Sequence, residues 1–148
     1  MTQINVATIG FTKSNAEHFF ERLLKGGVKK LIDVRLHNSS QLAGFAKADD
    51  LAYFLKKIGG IEYAHQSILA PTDSILKAFK KEKGDWDVYQ GRFLQLMEER
   101  KIEQRLKPEM LEGACLLCSE ATPHHCHRRL VCEYLNVKWS GVLSVNHL

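Results

Sequence analysis

The sequence predicts an α/β protein, a three-layer α/β/α sandwich around a mostly parallel, Rossmann-like sheet, and three observations carry that prediction. Short β-rich segments alternate with longer segments whose apolar residues recur at helical spacing. Glycines and prolines punctuate the junctions. The segment ACLLCS is apolar at successive positions, as a central parallel strand is when helices cover both its faces. With 148 residues, 45% of them hydrophobic, the chain suits a single domain spanning 1–148 with one substantial core.

The elements follow in order. INVATI, residues 4 to 9, is β-rich and runs into Gly10, after which Ser14 to Glu17 has the spacing of a capping box. Ala16, Phe19, Phe20, Leu23 and Leu24 form a helical stripe that Gly26 and Gly27 end. VKKLIDVR reads as the second strand, and LHNSSQLAGF as a polar loop. Leu51, Phe54, Leu55 and Ile58 repeat the stripe up to Gly59 and Gly60, and IEYAH is a short third strand. From Pro71 to about Leu106 the pattern is helical, one short helix and one long one with Tyr89, Phe93, Leu96 and Met97 inward, closed by Pro108. After the ACLLCS strand, Thr122 and Pro123 supply an N-cap and a first-turn proline for a helix with Leu130, Val131, Tyr134 and Leu135 inward. SGVLSVNHL finishes the chain as a last strand.

Composition narrows the function classes. The formal net charge is +4, but the basic residues are interleaved with acids on helical faces, and the most basic stretch, 77 to 83, carries only Phe79 as an aromatic. No feature calls for nucleic acid, though the charge leaves it open. No apolar run approaches the ~20 residues a membrane span needs, and the N-terminus lacks the pattern of a secretory signal, so a cytoplasmic protein without a membrane partner is expected. A chain with this much core does not need staples, so Cys115, Cys118, Cys126 and Cys132 are expected as thiols.

Chemistry is expected beyond the carboxyl ends of the strands, where loops and helix N-termini converge. Gly10, Lys13 and Ser14 follow the first strand and suit an anion. Asp33 and Arg35, two apart on the second strand, point the same way, to orient a ligand or to pair with each other. Cys118 and Glu120 end the fourth strand, and Cys126, His127 and Arg128 open the next helix. A thiol at a helix N-terminus beside arginine and histidine is stabilised as thiolate, which makes Cys126 the first nucleophile candidate and Cys118 the second, with Glu120 as acid or base. Against this, Cys126 shares a face with Leu130 and reads equally as a small core residue.

Two templates fail. A tyrosine-phosphatase cradle needs an arginine six positions after the cysteine, where Cys118 meets His124 and Cys126 meets Cys132. LIDVR looks like a rhodanese strand, but Ser-Glu-Ala-Thr-Pro-His after Cys118 lacks the glycine and arginine of a rhodanese loop. The CxxC of Cys115 and Cys118 points to opposite faces if it lies on a strand, and no second CxxC or HxxxH completes a tetrahedral set, so no metal site is assigned. Cys118, Cys126 and one of His124, His125 or His127 are the only donors with a workable placement.

A fuller set of motifs is Thr8-Ile9-Gly10, Asp33-Val34-Arg35, Gly60-Ile61 with Tyr63, and Leu117-Cys118, Glu120, Pro123, Cys126-His127-Arg128. In these the chain resembles the bacterial and archaeal family called domain of unknown function 488, over nearly its full length. Many members place histidine and serine after the TIG, where this chain has Phe11 and Thr12. The resemblance implies the α/β fold and the polar cluster without a reaction. The leading expectation is a small enzyme acting on a phosphorylated or nucleotide-like ligand, with Cys118 or Cys126 reactive, His127 and Glu120 beside them, and Arg35, Arg128 and Lys13 binding the anion. The competing expectation is a non-catalytic module that binds a metal, a nucleic acid or a partner protein through the same cleft. Neither cofactor, substrate nor oligomeric state follows from the residues alone.

Overall fold

The computed structural model describes residues 3–39, 44–120 and 123–148. Five strands, β1 (Ile4–Gly10), β2 (Lys30–Asp33), β3 (Glu62–His65), β4 (Ala114–Cys118) and β5 (Leu143–His147), form one sheet in the order β3-β2-β4-β1-β5. Every pairing is parallel. The helices are α1 (Ala16–Lys25), α2 (Ala48–Gly59), α3 (Asp73–Lys80), α4 (Trp86–Arg100), α5 (Ile102–Arg105) and α6 (His127–Lys138). No helix among the described residues is long and apolar enough to cross a membrane.

The predicted three-layer sandwich is thus present, and the sheet divides its core in two. Phe19, Phe20 and Leu23 of α1 and Leu51 and Leu55 of α2 pack with Ile9, Leu31, Cys115 and Leu117 on one face. On the other, Phe93 and Met97 of α4 and Leu130, Val131 and Leu135 of α6 pack with Val6, Ile32, Leu116 and Cys118. All five residues of β4 are buried, their side chains alternating between the two cores, so the unbroken apolar run comes from a strand with no solvent face. The same alternation puts Cys115 and Cys118 on opposite faces.

Two helix starts differ from the sequence expectation. Asn15, not Ser14, caps α1, its side chain accepting from the His18 amide at 2.8 Å, because Lys13 at φ 62° and the Ser14 amide bound to Phe11 O make an extra turn first. α6 begins at His127 with Cys126 as N-cap, four residues beyond Pro123. The Arg129 guanidinium takes the carbonyls of Pro123 (3.3 Å) and His124 (3.1 Å), and the Cys126 amide also turns back to Pro123 O, so this segment is a turn before the helix. Thr122 lies outside the described residues. The stripes of α1 and α2 are also narrower than expected, since Leu24 and Ile58 are each 46% exposed.

The topology positions the site. The helices after β1 and β2 cover one face, whereas α6, after β4, covers the other. β4 lies between β1 and β2, so the loops leaving its carboxyl end and theirs part in opposite directions and open a crevice there. The register sets Cys118 beside Gly10, and Leu117 beside Asp33, at its floor.

Candidate functional site

The floor of the crevice is a polar cluster built on the end of β2. Asp33 is fully buried and accepts from Arg35 Nε (2.9 Å), Arg35 Nη2 (2.8 Å), the Arg35 amide (3.1 Å) and the Tyr63 hydroxyl (2.6 Å). Burial, then the donation to Asp33, pushes the Tyr63 phenol up to about 12. Arg35 also donates to Ala46 O at 2.8 Å and lies over the Phe11 ring, and its Nη1 is buried with no partner among the described residues. Asp33 and Arg35 therefore form the pair their spacing allowed, with one Arg35 donor left over among the described residues.

The end of β1 serves as a seat for the loop after β4. A Cβ on Gly10 would lie 1.5 Å from Glu120 O and 2.8 Å from Arg128 Nη1, so only glycine fits. The amides of Phe11 and Thr12 and the Thr12 hydroxyl all donate to Ser119 O. Lys13 is exposed and Ser14 donates to Asn15 O; neither lines the crevice. Arg128, fully buried, donates from Nε to Thr8 Oγ1 (3.2 Å) and from Nη1 to Glu120 O (2.6 Å), tying α6 to β1 and to the loop. Its Nη2 has no partner among the described residues.

The sulfur chemistry sits at the end of β4. His127 Nε2 lies 2.6 Å from Val34 O, a group that only accepts, so Nε2 carries a ring proton, and in the neutral ring Nδ1 presents the lone pair. That Nδ1 is 3.5 Å from Cys118 Sγ and 3.5 Å from the Tyr89 hydroxyl. Burial pushes the Cys118 thiol up, but donation from the Cys126 thiol, the Ser119 amide, the charge of Arg128 and the Glu120 amide outweigh it and hold Cys118 below the ordinary thiol value. Cys126 carries the opposite shift: burial, then its donation to Cys118 and the negative charge there, push it well up. Burial likewise raises Tyr89, followed by the charges of Cys118 and Cys126. In acidity the two candidate thiols therefore diverge, the strand-end Cys118 held down and the N-cap Cys126 pushed up.

These groups open onto a cleft of about 230 Å³. Its floor includes Arg35, Cys118, Cys126 and His127, and its far wall is Phe79, Lys80 and Tyr89, with His37 and His125 near the mouth. His125 stacks on Trp86 at 4.8 Å, and Trp86 on Tyr89 at 5.2 Å, so the wall is aromatic. Glu120 is 40% exposed and ion-paired to Lys80 across the opening, which places it at the lip and not among the apolar strands. Of the residues singled out in the sequence, the cleft gathers Arg35, Cys118, Glu120, Cys126 and His127; Gly10, Asp33 and Arg128 support it from behind. Sequence reasoning did not bring Phe79, Lys80 and Tyr89 to the site: Phe79 and Lys80 fall in the run at 77 to 83, read there as a solvated basic face, and Tyr89 was read as an inward core residue of the long helix.

Cys118, Cys126 and His127 also offer two sulfurs and a nitrogen within 4.8 Å of one another, one short of a tetrahedral set. The ring proton of His127 on a backbone carbonyl is the support that a metal-binding histidine has. Cys115 and Cys132 are buried away from the cleft, with burial pushing Cys132 up to about 12.

A doubly wound α/β domain with a cysteine-histidine cluster at its sheet crevice is the class that fold and site define. The chain belongs to the family described as Domain of unknown function DUF488, whose model matches residues 15–135. No curated protein and no solved structure matches it.

Proposed function

We propose that this protein is a small enzyme acting on a phosphorylated or nucleotide-like ligand held in the cleft beside β4, with Cys118 as the reacting atom. The observation that carries this reading is the 3.5 Å approach of Cys118 Sγ to the lone-pair nitrogen of His127, whose ring is fixed from behind by Val34 O. In this reading His127 takes the thiol proton and returns it, and the Cys126 thiol and the charge of Arg128 stabilise the resulting thiolate. Arg35 Nη1, Lys80, His37 and His125 supply positive or donor groups for an anion, and the Phe79–Tyr89 wall supplies a flat apolar surface for a base.

The test is alkylation by iodoacetamide, followed site by site by mass spectrometry across pH. Cys118 reacts first, with a half-maximal rate at a pH below the ~8.5 of a free thiol, and adenosine monophosphate slows it. His127→Ala lowers the neutral-pH rate by at least about tenfold. A Cys118 that reacts no faster than Cys115 in the folded protein overturns the catalytic reading, and a rate indifferent to the nucleotide overturns the ligand class.

A second reading, a metal-binding module without catalysis, is favoured by the three donors gathered at Cys118, Cys126 and His127. Elemental analysis of purified protein divides the two. Stoichiometric zinc or iron, lost on Cys126→Ser, supports the module, and a metal-free protein removes it.

A further inference from the structure

We propose that Cys118 and Cys126 form a reversible disulfide pair, so that the cleft exchanges electrons with a small anionic disulfide. This inference goes beyond the preceding reading and rests on it only in taking Cys118 as the atom that reacts.

Two sulfurs on the same side of the sheet, each nearly sealed in hydrocarbon at 5% and 2% exposure, both line the same cleft. Their donor atoms lie within 4.8 Å, and a bond requires closing to ~2 Å. The protein has a part that can make that movement. Cys126 caps α6 through its backbone while its side chain takes no part in the cap, so its sulfur turns without unwinding the helix. The other thiols are excluded from the pair: Cys115 belongs to the opposite core, and Cys132, a turn and a half along α6, is absent from the cleft.

The chemistry balances with one disulfide consumed. Cys118 gives its proton to His127 Nδ1 and attacks one sulfur of the incoming disulfide; the new sulfur–sulfur bond expels a thiolate, which takes that proton back from His127. Cys126 then attacks Cys118 Sγ, passing its proton through His127 to the second departing thiolate. Two thiols leave, two electrons have moved from the protein to the small molecule, and a Cys118–Cys126 disulfide remains, which an external dithiol reduces. The charge preference follows from Arg35 in the lining, whose Nη1 is buried with no partner among the described residues, while at the rim Lys80 meets Glu120 and His37 meets Asp73.

The experiment uses the whole chain, with oxidised glutathione as the anionic probe and cystamine as the cationic one. Oxidised glutathione removes two hydrogens from the protein mass, peptide mapping joins Cys118 to Cys126, dithiothreitol reverses it, and the rate exceeds that with cystamine by about tenfold at low salt. Cys126→Ser instead retains one glutathione on Cys118; circular dichroism checks its fold, and the wild-type cross-link stands independently of it. A stable glutathione adduct on wild-type Cys118, a cross-link through Cys115 or Cys132, or a faster reaction with cystamine overturns the proposal. If Cys118 alkylates as a reactive thiol but gives no cross-link, this inference alone falls. If it resists both reagents, the catalytic reading falls with it.

Discussion

Asp33 shows how one carboxylate can hold a site together. It is sealed from solvent and satisfies four donors, three of them from Arg35 and one from Tyr63. Neutralising it as Asp33→Asn leaves a buried guanidinium without its counter-charge, and we expect a loss of ~3–5 kcal/mol in urea unfolding. A loss under about 1 kcal/mol, the size of an exposed pair, would contradict this account of the floor. The i,i+2 spacing made the Asp33–Arg35 pair readable, since alternate strand residues share a face. The third member was not readable, because Tyr63 arrives from a strand 30 residues away. The setting of Arg128 was not readable for a related reason: spacing tells that a cation stands near a helix start, but not that β1 and the Ser119–Glu120 loop close over it.

At the scale of elements, the unit that matters is β4, its loop and α6. The strand was legible because continuous burial leaves a continuous apolar run. The helix start was not, because Thr-Pro ahead of a helical stripe is a good signal, and it is overridden by Arg129 turning back to the Pro123 and His124 carbonyls and by the Cys126 amide on Pro123 O, side-chain and turn contacts that residue spacing does not show. The same unit depends on a residue in another strand. Gly10→Ala drives a methyl into the Glu120 carbonyl, backbone against backbone, with no flexible side chain to give way. We expect at least ~1–3 kcal/mol of destabilisation, together with slower alkylation of Cys118 as the loop lifts. A Gly10→Ala protein with wild-type unfolding and wild-type thiol reactivity would show that the loop does not rest on β1.

For the whole molecule, the alternation of strands and helices was legible, while the order of strands in the sheet was not. Nothing local in ACLLCS states that it inserts between the first and second strands, and that insertion is what places the crevice. The fold also sets a pH limit on itself. Tyr63 keeps its proton up to about 12 in the folded chain, and burial raises Tyr89 and Tyr134 as well. An unfolded phenol ionises near ~10. The stabilisation these phenols contribute is therefore full below that value and is lost as pH climbs from it toward the folded value. We expect the urea midpoint to fall between pH 9 and 11.5, and to fall less in Tyr63→Phe; equal slopes would remove Tyr63 from the cause.

The contacts of Ser119 bear on how anything enters. Its carbonyl is clasped by three donors from the segment after β1, and Glu120 is tied to Arg128, so the inner margin of the opening is anchored to the sheet. The outer margin is α3, an eight-residue helix joined across the gap by Lys80. Among the described residues the two margins are thus unequally held, the inner by four hydrogen bonds and the outer across the gap by one ion pair, so in the proposed reading the bulk of an admissible guest is set at the outer one.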